Sequence, residues 1–267
     1  MLLKRLSIAS KRDDEGMRQE DVVEYLDKYL RIADVPDSDR AFNGLQVEGG
    51  RSDIRRVALA VDASERAIEA AVALSSDLLI VHHGLFWNGA APVRGRMYRK
   101  MRRLLESGLA VYGAHIPLDV HPEVGNSVVL ARTLGIEIEG TFGSYRGIEI
   151  GYWGRLRLLR EALAARLDEV LGGRITMIAG GPERVECVGV LTGAGGDFIE
   201  SAVAAGLDAY VTGEGSHHTY FDAMEQGLNL YYGGHYATET WGVRALGEHL
   251  KATHGLSTEF IDLPTGL

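Results

Sequence analysis

Val57-Ala58-Leu59-Ala60-Val61-Asp62, then Ser64-Glu65-Arg66-Ala67-Ile68-Glu69-Ala70-Ala71-Val72, then Asp77-Leu78-Leu79-Ile80-Val81 decide the fold. The outer runs are apolar without alternation, as in strands covered on both faces, and the middle run has helical character behind a Ser in the capping position. The three make a βαβ unit. A second unit starts at Val188 and continues through Ile199-Glu200-Ser201-Ala202-Val203-Ala204 to Asp208-Ala209-Tyr210-Val211. A gapless shift of 131 positions matches Val57 to Val188, Ile68 to Ile199, Glu69 to Glu200, Asp77 to Asp208 and Gly84 to Gly215.

The correspondence continues at a shift of 120, where Val111-Tyr112-Gly113-Ala114-His115 aligns with Tyr231-Tyr232-Gly233-Gly234-His235. Each short strand ends in a His, and a carboxylate follows four residues later, Asp119 in one copy and Glu239 in the other. The expected fold class is therefore α/β, with two duplicated α/β half-domains facing each other across a metal-binding cleft, because ligands of open α/β sheets bind beyond the carboxyl ends of the strands. Packing alone could keep duplicated strands similar, but His, Asp and Glu are poor core residues without partners. The division expected is a disordered extension at 1–16, a first half at 17–134, a peripheral strand-helix-strand connection at 135–185 and a second half at 186–267. Leu156–Leu171 supplies the helix of that connection.

The chain has 267 residues, 37 acidic against 28 basic, and a net charge of −9. This balance disfavours nucleic acid as the main ligand. No apolar run reaches the roughly 18 residues of a membrane span, and the first residues carry charges where a secretory core would lie. The single cysteine, Cys187, excludes an internal disulfide framework and Cys-rich metal sites. A cytoplasmic location and metal ligation by His, Asp and Glu follow as expectations.

His82 and His83 end a buried strand before Gly84. Neighbours on a strand point to opposite faces, so the pair serves one ion if the chain turns there, or two ions if it does not. Asp119 follows Ile116-Pro117-Leu118, where the proline argues for extended chain or a turn rather than helix. His235 and Glu239 share one face if a helix has begun by His235, and if not the turn at the helix start does similar work; the alternative is a surface cap with Thr238 as N-cap and Glu239 exposed. His82, His83, Asp119, His235 and Glu239 make three imidazoles and two carboxylates, a set suited to zinc, iron, manganese or nickel. Two divalent ions are feasible if one carboxylate bridges, and divalent ions acidify water into a nucleophile near neutral pH.

His115 can be a ligand, a proton shuttle or, as we favour, a partner that orients a ligand. Glu214 and His218, in Gly213-Glu214-Gly215-Ser216-His217-His218, occupy the position equivalent to His82-His83-Gly84 and can contact substrate or carry protons; a polar loop explains them equally well. Asn43-Gly44 is a turn signal before an alternating strand, so a hairpin accounts for Asn43, Gln46 and Glu48, although these can also reach the cleft. His121 and Gly125-Asn126-Ser127 suit a rim or a helix cap.

The motifs NGLQVEG (Asn43–Gly49), DLLIVHHGLFW (Asp77–Trp87), GAHIPLD (Gly113–Asp119), TGEGSHH (Thr212–His218) and GGHYATE (Gly233–Glu239) span almost everything after Met17. In them the chain resembles the NIF-three-like family, also called GTP cyclohydrolase 1 type 2 homologues or dinuclear metal centre hexameric proteins. The resemblance implies two metal ions on His82, His83, Asp119, His235 and Glu239, with Glu239 bridging. It also implies a toroidal homohexamer with sites facing an internal cavity, and a chain without the inserted domain of longer members. Two functions compete on this basis. One is a metal-dependent hydrolase acting on a nucleotide or related small molecule, with Glu214, His115 and His218 as proton carriers. The other is a non-catalytic metal-binding oligomeric scaffold or regulatory protein. A DNA-associated ring is a weaker third, opposed by the acidic balance.

Overall fold

Ser64 accepts a hydrogen bond from the backbone N–H of Ala67 at 3.1 Å, so the expected cap starts the expected helix. The computed structural model describes residues 16–39, 41–87, 89 and 91–267. The expected extension at 1–16 lies outside the described residues except for Gly16. The first half runs β1 (Met17–Arg18), α1 (Gln19–Tyr29), β2 (Gly44–Val47), β3 (Asp53–Ile54), β4 (Arg56–Asp62), α2 (Glu65–Ala73) and β5 (Leu78–His83), then α3 (Arg96–Ser107), β6 (Ala110–Gly113), α4 (Ile116–Asp119) and α5 (Asn126–Thr133). The chain continues through β7 (Glu137–Tyr145), β8 (Ile148–Leu159), α6 (Arg160–Leu171), β9 (Thr176–Ala179), β10 (Arg184–Val190) and α7 (Ile199–Ala204). It closes with β11 (Ala209–Thr212), α8 (Thr219–Glu225), β12 (Asn229–Tyr232), α9 (His235–His254) and β13 (Ser257–Phe260).

Two mixed sheets result, ordered β13-β4-β5-β6-β2 and β7-β8-β10-β11-β12-β9. In each, three parallel strands of one repeat carry an antiparallel strand beside the third, β2 on β6 and β9 on β12. The duplication thus extends to an edge strand that precedes each βαβ unit. The Asn43-Gly44 signal does not close a hairpin. Gly44 takes the positive φ of 100° that such a signal anticipates, but the strand it opens pairs with distant β6. Strands from 135–185 flank both ends of the second sheet.

Alternate residues of β4 and β5 feed opposite cores, as strand geometry requires. Val57, Leu59, Leu78 and Ile80 pack with Leu26 of α1 and Val243, Leu246 and Leu250 of α9. Ala58, Ala60, Leu79 and Val81 pack with Ala67 and Ile68 of α2 and Leu104 of α3. The paired aspartates keep one structural duty in both copies. Asp77 accepts from the backbone N–H groups of Arg55 and Arg56, and Asp208 accepts from those of Glu186 and Cys187. Each carboxylate thereby ties the start of one strand to its neighbour.

The last helix crosses over. α9 leaves β12 of the second sheet, yet its apolar face fills the core of the first, and β13 then pairs in parallel with β4. This crossing carries the start of α9 to the carboxyl end of β5.

Candidate metal centre

Helix α9 begins at His235, with Gly234 in front of it at φ 90°, so His235 and Glu239 stand one turn apart on one face. Glu239 is buried, as are His82 and Asp119. Its two oxygens straddle the end of β5: Oε1 lies 3.5 Å from His82 Nε2 and Oε2 lies 3.3 Å from His83 Nε2. The two imidazole rings lie 4.7 Å apart, so both turn toward one site at the end of the strand. Ile80 and Val81 still face opposite cores, but the two imidazoles that follow converge and meet opposite oxygens of one carboxylate. Asp119 Oδ2 lies 3.6 Å from His82 Nε2, and His235 Nε2 lies 3.0 Å from Glu239 Oε2.

Pro117 does not keep Asp119 out of a helix. It sits in the first turn of the four-residue α4, where a residue without an N–H breaks no bond. Asn126, fully buried, then holds Asp119 by donating to Oδ1 at 2.8 Å, while its own Oδ1 accepts from the backbone N–H of Gly242.

Each imidazole of the cluster has its Nδ1 facing an oxygen. His82 Nδ1 is 3.0 Å from the carbonyl of Ala114, His83 Nδ1 is 2.9 Å from Asp62, His115 Nδ1 is 2.9 Å from Asp37 and His235 Nδ1 is 2.8 Å from Glu214. An N–H donated through Nδ1 leaves Nε2 with its lone pair, the arrangement that orients metal-ligating histidines. His82 Nε2, His235 Nε2 and Glu239 Oε2 are buried with no hydrogen-bond partner. The 3.0 Å approach of His235 to Glu239 is accordingly a misaligned electrostatic contact, since both atoms remain without a directed bond. Leaving such groups buried and unpaired is costly, and a cation among them removes the cost.

The charges agree. Burial opposes charging of His82, but Asp119 and Glu239 outweigh it and push its pKa up to about 10. Proximity to Glu239 outweighs burial at His235 and pushes it up to about 9. Burial raises Asp119 above the usual carboxylate range; it would raise Glu239 too, but His82 and His235 hold Glu239 well below that range. Two buried carboxylates thus demand positive charge. His82, His83 and His115 form one group, and His83, His235 and Glu239 another, whose donor atoms lie within 4.8 Å of one another and could hold a metal ion.

The structure therefore brings together His82, His83, Asp119, His235 and Glu239, with His115 among them, its ring 4.9 Å from that of His82. Glu214 reaches the cluster through His235, whereas His218 is exposed, precedes α8 and lies 3.9 Å from Asp222 in that helix. Asp37 and Asp62 escaped the sequence reading. Asp37 accepts from His115, from Asn43 and from the backbone N–H of Ile116, and no motif links it to them. Asn43 and Gln46 shape the same region: Asn43 Oδ1 accepts from the N–H of His115, and Gln46 Oε1 from that of Leu85.

Fold and site together define a mixed α/β protein whose two repeats meet at an imidazole–carboxylate centre able to hold metal. The chain belongs to the Duf34/NIF3 (NGG1p interacting factor 3) family, whose model matches residues 17–265. A Deinococcus radiodurans protein named GTP cyclohydrolase 1 type 2 homolog is 40% identical over 251 residues, covering 93% of this chain and 94% of that one. A Pyrococcus abyssi protein of the same name is 42% identical over 257 residues, covering 94% of this chain and all of that one. A Thermus thermophilus protein of known structure superposes with a TM-score of 0.85 at 41% identity, covering 94% of this chain and all of that one. Among the described residues, no helix is long and apolar enough to cross a membrane.

Proposed function

We propose that the chain holds two divalent ions, one on His82, Asp119 and Glu239 and one on His83, His235 and Glu239, and hydrolyses a small molecule such as a nucleotide. One observation carries the reading: imidazoles with Nδ1 committed elsewhere converge through Nε2 on the two oxygens of a single buried carboxylate. The name of the relatives, GTP cyclohydrolase 1 type 2 homolog, supports a nucleotide-directed hydrolase. The mixed nitrogen and oxygen set suits zinc, iron, manganese or nickel. Bound divalent ions would supply Lewis-acid activation of water.

The remaining work falls to the chain. Asp62, Glu214, Asn126 and the Ala114 carbonyl orient the ligands. His115, anchored by Asp37, stands beside the cluster and is placed to move a proton through Nε2. Glu214 acts first by orienting His235, and His218 belongs to the rim. A homohexameric ring is part of the reading; the exposed Tyr220, Phe221 and Met224 of α8 offer apolar surface for subunit contact. The lone Cys187 suits a cytoplasmic setting.

Elemental analysis of the native protein and of Glu239→Ala tests the centre: two ions per chain are expected in the first and at most one in the second. Retention of two in Glu239→Ala refutes the bridging role. Turnover of nucleotides and phosphoesters by metal-loaded protein, abolished in His83→Ala, tests hydrolysis. Full metal content without turnover would leave a non-catalytic metal-binding scaffold.

A further inference from the structure

A cleft of about 900 Å³ opens over His83 and His235, a size suited to a small organic ligand. Its charge is opposite to that of the chain. The protein carries a net −9, yet Arg66, Arg94, Arg96 and Lys100 line this cleft together with one carboxylate, Asp62. That carboxylate faces Nδ1 of His83. A second acid that acts on Lys100, Glu65, is already held by Arg99 through contacts of 2.8 and 2.6 Å. Among the described residues no carboxylate pairs with Arg66, Arg94, Arg96 or Lys100.

Lys100 is the most telling of the four. Half-buried, it gives one hydrogen bond to the Ala63 carbonyl at 2.6 Å, and burial followed by repulsion from Arg96 holds its pKa below the usual lysine value. A partly desolvated ammonium beside a guanidinium, with no nearby acid bonded to it, is a cation set up for an external anion. Arg96, Met97 and Lys100 all come from the first turns of α3, which has no acidic residue in its first turn. In the same cleft, Trp87, Leu85 and Leu263 supply apolar surface.

We infer that Arg66, Arg94, Arg96 and Lys100 form a phosphate-binding subsite beside the metal centre, and that the substrate is a phosphorylated small molecule. The assignment rests on the hydrolase reading above and names the substrate class for that site. Guanidinium forks and an ammonium match phosphate oxygens, and the apolar wall accepts the organic remainder. The limited volume of the cleft and the acidic balance of the chain favour a free phosphate ester over a nucleic-acid backbone.

Isothermal titration of metal-loaded protein with pyrophosphate, GTP, guanosine and a single-stranded oligonucleotide tests this. Pyrophosphate and GTP should bind and guanosine should bind far more weakly. Arg96→Gln and Lys100→Gln should each weaken pyrophosphate binding about tenfold, the loss of one charge-assisted contact, while metal content stays unchanged and Arg157→Gln has no effect. Arg96 is exposed, so its variant remains informative if Lys100→Gln fails to fold. Pyrophosphate affinity that is unchanged in Arg96→Gln overturns the subsite and leaves the hydrolase reading intact. Tighter binding of the oligonucleotide than of GTP overturns the small-molecule assignment. Affinity lost in the variants with no hydrolysis of any phosphate ester sustains the subsite and sinks hydrolysis instead.

Discussion

Adding divalent metal to the metal-free protein should expel protons, and the structure sets how many. His82 is pushed up to about 10 and His235 to about 9 by the carboxylates around them. At pH 7 an imidazole of pKa 9 is ~1% deprotonated and one of pKa 10 ~0.1%, so both enter the reaction charged. A nitrogen that ligates metal must give up its proton, and the pair therefore releases about two protons. Two ordinary imidazoles near pKa 6.5 would together release ~0.5 at the same pH. Any proton on Asp119, whose carboxyl is raised by burial, adds to the count. The total belongs to the coupled cluster rather than to single residues. Calorimetric titration at pH 7 in buffers of different ionisation enthalpy yields the number directly. A release near 0.5 would refute the claim that the buried carboxylates Glu239 and Asp119 hold His82 and His235 in the charged form. The same charges set a stability window. The folded-state values lie above the unfolded value of about 6.5, so the contribution is complete below that pH and is lost as pH rises through 9 to 10. Thermal melts of metal-free protein should fall across this window, and those of metal-loaded protein should fall less.

Asp62→Asn and Asp37→Asn test the residues that orient imidazoles. Asp62→Asn should weaken metal binding ~10- to 100-fold in competition with a chromophoric chelator, and an unchanged affinity would show that His83 needs no anchor. Asp37, with a side chain only 6% exposed and several donors on it, should cost stability as well, by ~1–3 kcal/mol in urea unfolding. Gly193 holds φ 70° and packs so closely on Glu239 that a Cβ there would overlap Oε1. Gly193→Ala should lower both metal content and melting temperature, and normal metal content in that variant would contradict the packing. Leu246→Ala, in the first core under α9, and Leu163→Ala, in the core under α6, should each cost ~2–5 kcal/mol. The first should also weaken metal binding because α9 carries His235 and Glu239, whereas the second should leave affinity near normal.

Much of the fold was legible because burial on both faces leaves a local mark. Continuous apolar runs at Val57–Val61 and Leu78–Val81, a Ser cap and the gapless match to Val188 and Asp208 are visible in one dimension, and they became β4, β5 and a second copy of the same unit. The ligand candidates were legible for a related reason: His and carboxylates at the ends of core strands are costly unless something pairs them. The duplication drew attention to His115 with Asp119 and to His235 with Glu239 together.

Two local rules failed where tertiary contacts outweighed them. Pro117 discourages helix in general but costs nothing in a first turn, so Asp119 closes a single helical turn. Asn43-Gly44 promises a hairpin, but β6 offers its strand a better partner.

By itself the sequence determined the α/β repeat, the chemistry of the candidate ligands and the absence of cysteine-based alternatives. The tertiary structure alone decided how those ligands meet. The crossing of α9 into the first core lays Glu239 across the end of β5, where His82 and His83 meet opposite oxygens of its carboxylate. The anchors at Asp37, Asp62 and Asn126, and the cationic wall from Arg66 to Lys100, likewise join residues that have no periodic relation along the chain. Periodicity records which face is buried, whereas the partner of a polar atom depends on chain segments that only the packed core brings together.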